Sequence, residues 1–63
     1  MPIIEISALK GRTLDQRRAL AKEITDSLVR VYGAAPETVS IIFRDMAQEE
    51  YAKAGVLYCD RGK

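Results

Sequence analysis

The sequence predicts an α+β fold built on a right-handed β-α-β unit with parallel strands. Residues 3–9 and 39–46 are β-branched and apolar with a period of two. Residues 14–32 carry apolar side chains at helical spacing, and that connection is long enough to return the chain to the same sheet.

In the first strand Ile4, Ile6 and Ala8 share one face and Ile3, Glu5 and Ser7 the other. Pro2 suits the first position, where a missing N–H costs the ladder little. Lys10-Gly11-Arg12 breaks the alternation. Thr13 with Gln16 three residues on is a capping box, so a helix starts at Leu14. Leu14, Ala21, Ile24, Leu28 and Val31 form its apolar stripe, widened by Leu20 and Tyr32. Arg18, Lys22, Asp26 and Arg30 stack at i,i+4 on a solvated face, with Lys22–Asp26 and Asp26–Arg30 as favourable pairs. Gly33 terminates the helix, and Pro36 forbids its continuation.

The second strand places Val39, Ile41 and Phe43 on one face and Ser40, Ile42, Arg44 and Met46 on the other. In the tail, Gly55-Val56-Leu57-Tyr58-Cys59 reads as a terminal strand or hairpin. The 63 residues allow one domain, 1–63, about half the usual domain size. Apolar residues make up 48% of the chain, yet a domain of this length buries only about 60% of its unfolded surface. One helix also covers only one face of the sheet, whereas parallel sheets are normally covered on both. Both points predict a homo-oligomer that associates through the sheet.

Composition excludes several function classes. Ten Lys and Arg against nine Asp and Glu give a net charge of +1, which favours neither nucleic acid nor an anionic membrane. With one Cys and no His the chain has neither a disulfide framework nor the usual zinc ligands, so no metal is expected. No membrane span or secretory signal is visible, and the expected compartment is the cytoplasm. Cys59 is read as a small tail residue without a role. Ser-His-Asp, Cys-His and phosphate-loop patterns are all missing.

What remains is Pro2, directly after Met1. Removal of Met1 would make it a free secondary amine. A chain-terminal amine titrates near pH 7.7–8.0, and apolar burial or a nearby cation lowers that value, roughly into the range of a neutral base at cellular pH.

Met1-Pro2-Ile3-Ile4-Glu5-Ile6, Leu9-Lys10-Gly11-Arg12-Thr13 with Gln16, Ala35-Pro36 and Asp45-Met46-Ala47 resemble the 4-oxalocrotonate tautomerase family. The resemblance spans almost the whole chain. It implies a β-α-β subunit with a short C-terminal hairpin, dimers with a four-stranded sheet, and a homohexamer, a trimer of dimers, whose sites draw on neighbouring subunits. It implies a cofactor-independent isomerase in which Pro2, after loss of Met1, is the general base on 2-hydroxydienoate or enolpyruvate-type acids. Arg12 matches the family arginine that binds a substrate carboxylate, a task suited to a planar guanidinium.

Two positions depart from the family pattern. Ser40 stands where the family carries its second arginine, and a hydroxyl does not replace a fixed cation. Arg44, on the same strand face but about 13 Å along it, is the candidate substitute. Tyr51 stands at the aromatic that shields the family's proline, and adds a hydroxyl able to donate to a developing oxyanion. Related dehalogenases and hydratases need a second arginine in the first loop and a water-activating carboxylate; Leu9 lies in that loop and Lys53 near the carboxylate position, which argues against those activities. The alternative to the isomerase is a non-enzymatic oligomer, or a hetero-oligomer subunit whose partner supplies the missing arginine.

Overall fold

A computed structural model describes residues 1–61. Strand β1 (Ile3–Leu9) leads into helix α1 (Leu14–Tyr32), which returns the chain to strand β2 (Ser40–Met46). The two strands pair in parallel, with Ile3 opposite Ser40 and Leu9 opposite Met46. The α+β, β-α-β reading therefore holds.

The helix starts and stops where its sequence signals lie. Gln16 N–H donates to Thr13 Oγ1 at 3.1 Å, and Thr13 N–H donates to Gln16 Oε1 at 2.9 Å, so each satisfies an otherwise orphaned amide. At the other end Gly33 adopts φ 71°, and the N–H groups of Gly33 and Ala34 close on the carbonyls of Val29 and Leu28. On the outer face Lys22 pairs with Asp26 at 2.7 Å, whose hydrogen bond and charge raise the ammonium pKa. Arg18 turns instead to Asp15, at 2.8 Å.

Partner residues in a parallel ladder point to the same side, so Ile4, Ile6, Ala8, Ile41, Phe43 and Asp45 share the face under α1. Ile3, Glu5, Ser7, Ser40, Ile42 and Arg44 share the other, which no element among the described residues covers. Burial follows this division: Ile4, Ile6, Ile41 and Phe43 are half-buried, whereas Ile3 and Ile42 are exposed. The apolar stripe of α1 is only partly engaged. Ala21, Ile24 and Leu28 are half-buried, but Leu14, Val31 and Tyr32 are 59%, 69% and 75% exposed. A 19-residue helix is about 29 Å long and a seven-residue strand about 23 Å, so the helix ends overhang the sheet.

Boundary differences have local causes. Val39, expected in the second strand, instead donates its N–H to Pro36 O at 3.2 Å and closes a 3-10 turn over Pro36–Thr38. The tail forms a hairpin, β3 (Ala52–Lys53) against β4 (Val56–Leu57), while Tyr58 and Cys59 belong to a 3-10 turn over Tyr58–Asp60. Ala54 and Gly55 link the strands with φ 53° and 79°, the two positive values of a type I′ turn.

No described side chain is fully buried. The chain exposes 4989 Å², against about 4,000 Å² for a compact protein of this mass. Its radius of gyration is 15.3 Å, against about 11 Å for a compact chain of this length. The surplus, about 1,000 Å², is of the order of the roughly 800 Å² that one partner contributes to a standard interface. An isolated subunit thus lacks the burial that offsets its chain entropy.

The chain is expected to sediment as an assembly at micromolar concentration, with a melting temperature that rises with protein concentration; a folded monomer with a concentration-independent melting temperature would contradict this. Ala54→Asn, which tolerates the left-handed conformation better, is expected to stabilise the protein by about 0.5–1 kcal/mol, read as a higher denaturation midpoint at fixed concentration.

Candidate active site

The first turns of α1 and the C-terminal ends of β1 and β2 enclose a cavity of about 200 Å³, lined by Ile6, Ala8, Leu9, Arg12, Gln16, Arg17, Leu20, Phe43 and Asp45. Arg12 reaches this position because Gly11 turns the chain from strand to helix. Arg17, on the face of α1 that meets the sheet, donates through Nη2 to Asp45 Oδ2 and ties the helix to the end of β2. Arg12 has no carboxylate partner among the described residues. The cavity therefore combines an apolar lining with one neutralised and one uncompensated guanidinium, an arrangement chemically suited to an anionic group such as a carboxylate.

Pro2 lies at the opposite end of β1. Its carbonyl accepts the Ser40 N–H at 3.0 Å, so these two residues are neighbours across the sheet. The seven residues of β1 put about 23 Å between Pro2 and the Leu9 end of the strand, beside Arg12. Leu9 lines the cavity with Arg12, and Tyr51 sits apart at the entry to the hairpin. The tyrosine's ring meets that of Tyr58 at 6.3 Å between centroids, tilted by 48°, and Tyr58 N–H donates to Tyr51 O at 2.8 Å. A single subunit thus brings together Pro2 with Ser40, and Arg12 with Leu9, but does not join these two pairs.

Arg44 does lie on the Ser40 face, where its Nη2 donates to Glu5 Oε1 at 3.1 Å. Sequence reasoning missed this pair and the Arg17–Asp45 tie. The second had a signal: Arg17 interrupts the apolar stripe between Leu14 and Ala21, and Asp45 follows Ile41 and Phe43 on the strand face that the helix covers. Among the described residues no group of His, Cys, Asp and Glu could hold a metal, and no helix is long and apolar enough to cross a membrane.

Residues 2–61 match the family model described as Tautomerase enzyme. A "Probable tautomerase" of Streptococcus pneumoniae is 44% identical over 55 residues, which cover 87% of this chain and 92% of the relative. Among solved structures, a 4-oxalocrotonate tautomerase isozyme of Methylibium petroleiphilum superposes with a TM-score of 0.88 at 33% identity, covering 95% of this chain and 94% of that one. A further 4-oxalocrotonate tautomerase homologue covers all of both chains, with a TM-score of 0.91 at 27% identity. The chain belongs to the tautomerase family and is 4-oxalocrotonate tautomerase-like in fold.

Asp45→Asn removes the partner of Arg17 and is expected to cost about 1 kcal/mol or less, since both groups are partly solvated; Glu5→Gln at the more exposed pair is expected to cost less, as read from denaturation midpoints.

Proposed function

We propose that this chain is a cofactor-independent keto-enol isomerase in which Pro2, released by removal of Met1, is the general base on 2-hydroxydienoate or enolpyruvate-type acids. The observation that carries this reading is Pro2 itself: the family match begins at this residue, and its carbonyl is pinned by Ser40 at the start of a strand. Met1 is 91% exposed, so its removal leaves the β1–β2 ladder intact. While Met1 is attached, the Pro2 nitrogen is a tertiary amide without basicity.

The free amine accepts the enol O–H proton as the C2–O bond becomes a carbonyl. The electron pair of the carbon–carbon double bond then takes a proton at C3 or C5 from the proline ammonium. One O–H bond is exchanged for one C–H bond, with no redox change and no added reactant. Arg12 holds the substrate carboxylate through charge-assisted hydrogen bonds. Tyr51 walls the amine from water, and its hydroxyl is available to the developing oxyanion. Leu9 supplies apolar lining, and Ser40 a neutral polar group beside Pro2. Arg44 borders this face with Glu5 against it.

A small acid cannot span the roughly 23 Å from Pro2 to Arg12 along one strand, so the working site joins the Pro2 end of one subunit to the Arg12 cavity of another. This, with the uncovered sheet face, supports a homohexamer built as a trimer of dimers, each chain one domain, acting in the cytoplasm on a small carboxylate. A second reading rests on Ser40: a hetero-oligomer in which a partner chain brings the missing arginine, so that activity appears only on mixing.

With protein shown by mass to lack Met1, ultraviolet-monitored ketonisation of 2-hydroxypenta-2,4-dienoate is expected to run well above the buffer rate. Pro2→Ala is expected to lower kcat/KM by about 10²-fold or more. Arg12→Ala is expected to lower it by roughly 10- to 100-fold, the loss of charge-assisted hydrogen bonds. Unchanged turnover in the Pro2 variant would remove Pro2 from the mechanism.

A further inference from the structure

We infer that the site selects acids bearing a single carboxylate and discriminates against the corresponding diacids, with Ser40, Asp45 and Glu5 as the residues that set this preference. The inference rests on the isomerase reading above and narrows its substrate class.

The cavity has two guanidiniums, Arg12 and Arg17, and one carboxylate, Asp45, which is hydrogen-bonded to Arg17. Its lining therefore holds one net positive charge, located at Arg12. Lys10, close by in sequence, does not line the cavity. At the Pro2 end the neighbouring side chain across the sheet is the neutral Ser40. The cation on that strand face, Arg44, has Glu5 against it at 3.1 Å, so the pair adds no net charge.

An acid with one carboxylate satisfies Arg12 and leaves the rest of its carbon chain for Leu9, Leu20 and Phe43. Among the residues described at the cavity and at the Pro2 end, a second carboxylate meets no uncompensated cation. To gain one it must displace Asp45 from Arg17, or Glu5 from Arg44. The displaced carboxylate stays tethered nearby and repels the newcomer. Rejection through an unpaired like charge is how a site separates ligands that share every other feature.

The test compares 2-hydroxypenta-2,4-dienoate with 2-hydroxyhexa-2,4-dienedioate, which differs by the second carboxylate, on the full chain lacking Met1. The monoacid is expected to have the higher kcat/KM by about 10-fold or more, equivalent to about 1.4 kcal/mol. Ser40→Arg is expected to raise the diacid relative to the monoacid by a similar factor. Proline-dependent turnover that is equal on the two acids, or faster on the diacid, overturns the inference and leaves the isomerase reading standing. If neither acid is turned over, the isomerase reading fails; calorimetric binding of 2-oxopentanoate and 2-oxohexanedioate then decides the charge preference separately. Tighter binding of the monoacid, lost in Arg12→Ala, supports the preference, and equal or tighter binding of the diacid overturns it. Neither the native turnover ratio nor the binding of the oxo-acids depends on Ser40→Arg folding.

Discussion

A single helix laid on two seven-residue strands covers one face of a sheet and leaves the other to water. That constraint governs the rest of this molecule. The uncovered face holds Ile3 and Ile42, and the helix ends carry Leu14, Val31 and Tyr32 beyond the strands, so apolar surface is left over on both layers. The single Cys allows no internal disulfide, and among the described residues no group of His, Cys, Asp and Glu could hold a metal to offset the missing core. In the proposed assembly, association supplies the burial that the chain does not supply alone and joins strand ends that one subunit keeps about 23 Å apart.

Charge follows the same two-faced plan. The Arg17–Asp45 tie crosses from helix to sheet on the covered side, and Glu5–Arg44 joins the strands on the open side. Partly exposed ion pairs of this kind add little to stability. Their greater effect is electrostatic: each neutralises an arginine that would otherwise act as an anion site, and Arg12 keeps its charge uncompensated. What the proposed carboxylate substrate meets is thus decided as much by the acidic residues beside the arginines as by the arginines themselves.

Much of the fold was legible in the sequence because its signals are local. Thr13 and Gln16 bond to each other's amides, and Gly33 adopts the left-handed conformation open to a residue without a Cβ, so both helix ends are settled by a few neighbouring residues. Period two in residues 3–9 assigned each side chain to its face, since the ladder preserves that alternation. The short hairpin was less legible. Ala54 takes a positive φ that alanine disfavours, so the turn carries only half of the usual Asn-Gly signal. Apolar spacing placed Leu14 and Val31 on the correct stripe, but spacing does not state where the strands beneath the helix end.

Of the candidate site, the sequence by itself determined the residue types: a proline after Met1, an arginine where strand turns into helix, a serine on the second strand and a tyrosine before the hairpin. Family membership is likewise carried by the order and spacing of such residues, which align without coordinates. The tertiary structure alone decided which of them meet. Parallel pairing puts Pro2 beside Ser40, nearly forty residues on, and helix packing brings Arg17 to Asp45, separated by 28 positions. The physical reason is that capping and strand alternation act over a few residues, whereas strand register and ion pairing depend on the path of the whole chain.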